Sequence, residues 1–183
     1  MQQDERYGRS LIRLLHELYW LISKRNAYNK LFEIAPETNW SFFSYASVAL
    51  KNDMVSHAIK VLDNSRETSS FWYIHRSKEK LVEAELLKAN LSACEIKNLS
   101  DKLRTVRDKT HFHIDKSRVF SPVAVWQEAD ISSSDFSKIF EGLWLALNEL
   151  YRKHFGESFS HFIYSGEDVE GIVSAARRSG IDV

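Results

Sequence analysis

The chain has 183 residues, 44% apolar and 13% aromatic, which is enough to bury one sizeable core. Lys and Arg together number 25, as do Asp and Glu, so no basic excess indicates nucleic-acid binding and any RNA contact must come from a local patch. The single cysteine, Cys94, excludes an intramolecular disulfide framework and a cysteine-based zinc site.

These features predict one domain over residues 1–183 in a reducing cytoplasm. Residues 1–4 are mostly polar, and we expect a flexible N-terminus there. Cys94 is expected to be a small buried helix residue. No apolar run approaches the ~18 residues that indicate a membrane span, so no membrane segment is expected.

The N-terminal part of the chain is predicted to form two long helices. Apolar residues recur at helical spacing from Glu5 to about Ala35, and Pro36 ends the run. A second helix, capped by Thr38, is expected to end around Asp63-Asn64. Asp53 interrupts its apolar pattern, either as part of an exposed patch or as a residue that faces the functional site and orients a ligand or a histidine.

The middle of the chain continues the helical pattern. The aromatic run Phe71–Ile74 has no partner strand of similar character, so we expect a short helix there. Residues 80–90 form a mixed-charge amphipathic pattern, which predicts a further helix. Apolar residues keep helical spacing from Leu91 to Asp115, and the pattern leaves open whether residues 80–115 form one helix or two.

The C-terminal part combines a predicted loop with a strong core helix. Residues 117–130 contain Pro122 and no sustained helical period, so we expect a long connecting loop. Ser and Asp residues then cap a core helix that ends near Phe155-Gly156. Residues 157–183 are expected to be a C-terminal extension with a short helix. The fold class is therefore all-α, an up-down helical bundle of about five to seven helices with a long loop before its last core helix.

The densest chemistry lies between residues 107 and 115, a segment with two cations, two acids and two imidazoles. On a regular helix each residue turns about 100°, so His113 points roughly 120° away from Arg107. For Arg107 and His113 to act on one ligand, the helix must end, kink or loosen near Phe112, or another subunit must supply the second group. Arg104, three residues before Arg107, can reach the same anion. The competing interpretation is a solvated helix end, where the helix dipole favours His and Lys.

The run Arg107-Asp108-Lys109-Thr110-His111-Phe112-His113 resembles the signature of the HEPN superfamily of small all-helical domains. In that signature an Arg followed by a polar residue precedes a His near the end of a helix, and here five residues separate Arg107 from His113. The pattern RDK followed by His-x-Asp is similar to the abortive-infection (AbiU-like) branch.

The resemblance implies a HEPN-like helical bundle that forms a homodimer and brings two copies of the motif to one cleft. It implies a metal-independent endoribonuclease in phage defence by abortive infection or in a toxin–antitoxin system, with no cofactor. RNA would be its partner, and an antitoxin protein would be a further partner in a toxin–antitoxin system. Arg107, Asp108 and His113 would be its catalytic residues, with Asp108 orienting the pair. From the residues themselves we add His111 and Asp115 as a second proton carrier or an ion-pair partner.

Two other classes of function remain open at this point. The chain can be a catalytically inactive helical module that binds protein or RNA in the same defence context, and monomeric behaviour in solution would favour that class. His111, His113 and Asp115 also match an H-x-H-x-D metal-ligand set. That spacing brings ligands together on an extended segment and not on a helix, and a chelator separates it from the ribonuclease.

Overall fold

A computed structural model describes residues 2–34, 41–111 and 122–178 of the chain. These ranges contain eight α-helices, one π-helical turn and no β-strand. The all-α prediction is confirmed, and the helices exceed the expected number by one. The helices are α1 (Gln2–Ile34), α2 (Ser41–Leu62), α3 (Phe71–Ser77), α4 (Glu79–Lys88), α5 (Ala93–Val106), α6 (Pro122–Ala129), α7 (Ser133–Phe155) and α8 (Glu167–Arg178), and the π turn is Arg107–His111.

The chain divides into two compact units. The first unit consists of Met1–Leu18 and Ala58–Ser160, and the second consists of Tyr19–His57 and His161–Val183. Helices α1 and α2 each contribute residues to both units. The single domain expected over residues 1–183 stays a prediction.

The core of the first unit is built from apolar stripes at helical spacing. Helix α4 packs on α7, and α5 packs on both α6 and α7. Burial of each large aliphatic side chain contributes about 1.5–3 kcal/mol, so these stripes dominate the stability of the unit. The stripe of α1 is Leu11, Leu14, Leu15 and Leu18, and that of α7 is Phe136, Ile139, Phe140, Leu143, Ala146, Leu147 and Leu150.

The second unit has a smaller core around Leu31 of α1 and Phe43 of α2, against which Val169 of α8 packs. Asn26 Nδ2 donates to the carbonyl oxygen of Tyr164 at 2.9 Å, which holds the segment before α8 on α1. Gly166 lies so close that a Cβ there would be 2.9 Å from the carbonyl oxygen of Asn26, and its φ of +86° also favours glycine. The predicted short C-terminal helix is present as α8.

Two expectations differ from the structure. Helix α6 occupies the second half of the predicted loop, because Pro122 is its first residue, where proline starts a helix without losing a hydrogen bond. Cys94 is exposed, since it lies about 200° around α5 from the buried Ile96. Helix α1 begins at Gln2, and the flexibility expected for residues 1–4 stays a prediction. The predicted cap Thr38 lies outside the described residues.

Candidate functional site

Helix α5 carries Arg104 and leads directly into the motif, and its start is fixed by a capping box. The Ser92 side chain accepts from the Glu95 N–H, and the Glu95 carboxylate accepts from the Ser92 N–H at 2.9 Å. This box separates α5 from α4 and settles that residues 80–106 form two helices. The buried face of α5 consists of Ile96, Leu99, Ser100, Leu103 and Val106.

The α-helical hydrogen bonding of α5 ends at Val106, and the π turn Arg107–His111 follows directly. A π turn closes its hydrogen bonds over five residues in place of four, so the helix is wider here, and such turns occur frequently at functional sites. Val106 is fully buried and packs with Val125 and Ala129 of α6. Helix α6 therefore supports the position at which α5 loosens.

Asp108 connects Arg107 of the motif with Arg104, which lies three residues before Arg107. The Nε of Arg107 donates to Oδ1 of Asp108 at 2.8 Å, and the Nε of Arg104 lies 3.8 Å from Oδ2 of the same carboxylate. The Arg107 side chain is 29% exposed, whereas that of Arg104 is 71% exposed. Asp108 thus orients the less exposed guanidinium, which is the one best placed for strong electrostatic contact with an anion.

Both arginines line a cleft of about 330 Å³ between the end of α2 and α5. Leu62 at the end of α2 holds the walls together through its carbonyl oxygen, which accepts from Ser100 Oγ at 2.8 Å and from Trp72 Nε1 at 3.1 Å. Both bonds are buried, so the walls are held firmly. The lining is Ile59, Leu62, Asp63, Asn64, Ser65, Ser100, Asp101, Leu103, Arg104 and Arg107.

The structure brings together three of the seven candidate residues, namely Arg104, Arg107 and Asp108. His111 is the last residue of the π turn, and its backbone is described but its side chain is not. His113 and Asp115 lie outside the described residues. The helix departs from α-helical hydrogen bonding at Arg107, earlier than the expected position near Phe112, and the convergence of Arg107 with His113 stays a prediction.

Asp53 belongs to the second unit, where it takes part in a charged cluster. Its carboxylate forms an ion pair with Lys24, whose Nζ also lies 2.9 Å from Nε2 of the buried His57. The Lys24 ammonium stands 5.3 Å from the centre of the Trp20 ring. These contacts assign Asp53 a structural role in the packing of α1 on α2, and its supporting role at the motif stays a prediction.

The polar turn after α2 supplies one wall of the cleft and is not among the predicted site residues. The sequence predicts Asp63-Asn64 only as the end of a helix, although Asp, Asn and Ser in succession typically form hydrogen-bonded turns. Here Oδ1 of Asp63 accepts from the Ser65 N–H at 3.0 Å. Ser65 Oγ in turn accepts from the Glu67 N–H at 3.3 Å.

Metal ligands and membrane-spanning helices are two further features that bear on function. Among the residues that the structure describes, no three His, Cys, Asp or Glu side chains are grouped to hold a metal ion. Within the same ranges, no helix has the length and apolarity to cross a bilayer.

No family model, no curated protein and no solved structure matches this chain. The residues of the motif and the cleft are therefore the basis for a function.

Proposed function

We propose that this protein is a metal-independent endoribonuclease of the HEPN type, with an Arg/His site and a role in phage defence or a toxin–antitoxin system. The observation that carries the proposal is the Arg107–Asp108 pair at the start of the π turn, beside Arg104 in the cleft. A guanidinium oriented by a carboxylate and partly shielded from water suits a phosphodiester, since it offers two parallel N–H donors to the non-bridging oxygens.

Arg107 acts in the reaction by stabilising charge. Negative charge grows on the non-bridging oxygens as a nucleophile attacks phosphorus, and a guanidinium already in position stabilises that charge without reorganising. Arg104, more exposed, contributes to holding the RNA backbone. Asp108 keeps Arg107 in one orientation, so less side-chain entropy is lost when RNA binds.

His113 supplies the proton transfers in this proposal. Imidazole exchanges protons near neutral pH, so one His113 takes the proton of the ribose 2′-hydroxyl and the resulting oxygen attacks the adjacent phosphorus. The bond from phosphorus to the 5′-oxygen breaks, and that oxygen receives a proton from a second imidazole. The products are a 2′,3′-cyclic phosphate and a 5′-hydroxyl, and RNA itself provides the nucleophile.

A second proton carrier is needed for this reaction, and a homodimer supplies it. Two copies of the motif around one cleft would place two histidines and two arginines on the same phosphodiester. The local concentration of cations then offsets the zero net charge of the chain.

The test is cleavage of a labelled mixed-sequence RNA by the full chain in EDTA. Wild-type protein is expected to cleave, and Arg107→Ala and His113→Ala are each expected to lose at least about a hundredfold in rate, as for the loss of one transition-state donor. The matched control is Arg152→Ala, which removes a guanidinium that pairs with Glu149 on its own helix. It is expected to cleave like wild type.

Other outcomes would point elsewhere. A folded wild-type protein that cuts no RNA but binds RNA or protein would be the inactive helical module. Activity that EDTA abolishes and a divalent metal restores would instead indicate the His111, His113 and Asp115 ligand set.

A further inference from the structure

We infer that the cleft beside Arg107 binds the base next to the bound phosphate, and that the turn Asp63–Ser65 gives this cleft a preference for guanine. The inference rests on the proposed function for its ligand, a single-stranded RNA. It adds a specificity site formed by residues outside the motif. Arg104 and Arg107 hold the phosphate in this arrangement, and Asp63 and Asn64 contact the base.

The size and rigidity of the cleft suit a nucleotide. Its volume of about 330 Å³ falls at the lower end of small-molecule sites. One wall is fixed because the Leu62 carbonyl accepts the buried donors Ser100 Oγ and Trp72 Nε1. The turn is fixed by its own hydrogen bonds, since Thr68 Oγ1 donates to the Ser65 carbonyl oxygen at 3.0 Å. A preorganised wall loses little entropy on binding, which favours selectivity.

The polar groups of the turn match the edge of guanine. Nη1 of Arg76 donates to Oδ1 of Asn64 at 3.4 Å, which engages the amide oxygen and leaves the two N–H donors of the amide for a base. One carboxylate oxygen of Asp63 accepts from Ser65, and the carboxylate keeps further acceptor capacity. A donor beside a carboxylate complements guanine, whose O6 accepts and whose N1–H and N2–H groups donate.

The same pair of groups disfavours the other bases to different degrees. Adenine and cytosine would present an amino group to the Asn64 amide and a ring-nitrogen lone pair to the Asp63 carboxylate, so that these groups would be unpaired or in repulsion once the base covers them from water. Uracil has one acceptor, O4, and one N–H donor, N3–H, so it can form some of the hydrogen bonds that guanine forms with Asn64 and Asp63. The expected order is guanine first, uracil second, and adenine and cytosine last.

The charges around the cleft fit a phosphate at its arginine end. Asp101 also lines the cleft, but its carboxylate is 2.7 Å from Nζ of Lys97, which offsets its charge. Arg104 and Arg107 share one carboxylate, that of Asp108. Two guanidinium groups with a single carboxylate between them retain net positive charge for a phosphate.

The experiment measures binding without cleavage. We use 2′-O-methyl oligouridylates that carry one central guanine, adenine, cytosine or uracil, because the methyl group removes the nucleophile. Fluorescence anisotropy gives the affinities, and amide chemical shifts locate the ligand. The guanine oligonucleotide is expected to bind about tenfold more tightly than the adenine one, with shifts at residues 62–65 and 100–107.

Two variants separate base selection from phosphate binding. Asp63→Asn keeps an oxygen for the Ser65 N–H but adds an N–H donor towards the base, so the preference for guanine is expected to disappear. Arg104→Ala is expected to weaken all four oligonucleotides by a similar factor. The matched control Glu157→Gln removes an exposed carboxylate that does not line the cleft and is expected to change nothing.

The possible failures are distinct. Equal affinity for all four oligonucleotides, or shifts that avoid residues 62–65, overturns the base site while leaving the nuclease intact. Guanine-selective binding by a protein that never cuts RNA upholds the base site and removes only the catalytic proposal. A guanine preference that survives Asp63→Asn assigns the selection to another group and overturns the role of the turn.

Discussion

Asp108 holds the two arginines of the cleft, because its carboxylate contacts both Arg107 and Arg104. We expect Asp108→Ala to lower kcat about tenfold to a hundredfold, since a displaced guanidinium no longer meets the transition state. Asp108→Asn keeps an acceptor for Arg107 and should lose less.

A double-mutant cycle distinguishes orientation from a merely structural effect. If Asp108 acts through Arg107, adding Asp108→Ala to Arg107→Ala should cause no further loss of kcat. Independent losses that multiply in the double variant would show that Asp108 does not act by orienting Arg107.

Glu85 carries a prediction about pH. Its buried carboxylate accepts from Lys153 at 2.5 Å and from Lys88 at 2.9 Å. Burial alone would raise the pKa of Glu85, but the two ammonium groups outweigh burial, so the pKa lies below its ordinary value of 4.5. A lowered folded-state pKa means that this stabilisation is present above about pH 4.5 and is lost as the pH falls through the folded-state value.

Glu85→Gln is therefore expected to lower the free energy of unfolding by about 1–2 kcal/mol at pH 7, less than for a fully buried pair because the lysines are partly exposed. The difference from wild type should shrink in urea titrations performed well below pH 4.5. A difference that stays constant with pH would contradict the assigned role of the charge.

At the scale of the helices, alanine substitutions at two glycines are expected to have different effects on stability. A Cβ on Gly142 of α7 would lie 2.7 Å from Cγ of the buried Leu91, so Gly142→Ala should cost about 1–3 kcal/mol of unfolding free energy. Gly171 of α8 has no atom within 4 Å of such a Cβ among the described residues. Gly171→Ala should be neutral or stabilise by up to about 1 kcal/mol through helix propensity. Equal effects in thermal unfolding would contradict the close packing of α7 on the connection before α5.

Much of the helical pattern could be predicted because apolar periodicity reports burial. Helices α1, α2, α7 and α8 follow their predicted runs, with the final core helix ending at Gly156 as expected. The start of α5 could also be predicted, since Ser92 and Glu95 have the spacing of a capping box. The apolar periodicity alone does not separate α4 from α5. Helix α6 was missed because its eight residues depend on packing against Val106 more than on their own pattern.

The site was only partly predictable for a similar reason. Arg107, Asp108 and Arg104 are close in sequence, so their proximity follows from helix geometry. The turn Asp63–Ser65 lies about 40 residues away and reaches the cleft only through tertiary contacts at Leu62. The π turn likewise depends on how α5 meets α6, which no local pattern specifies.

For the whole molecule, the proposal requires that two copies share one cleft. Wild-type protein mixed with an excess of the Arg107→Ala/His113→Ala double variant should lose activity per wild-type chain, because mixed dimers carry only half of each site. Activity per wild-type chain that stays constant during this titration would indicate independent sites. An affinity tag on the variant chain alone, followed by co-purification of untagged wild-type chain, confirms that mixed dimers form.

The most direct test of the account is the chemistry of the ends made by the full chain acting on RNA in EDTA. The account predicts 2′,3′-cyclic phosphate and 5′-hydroxyl ends, and no cut after a nucleotide whose 2′-hydroxyl is methylated. Ends with a 5′-phosphate, or cutting after the methylated nucleotide, would show that water or another nucleophile attacks the phosphorus, and would contradict the proposed reaction.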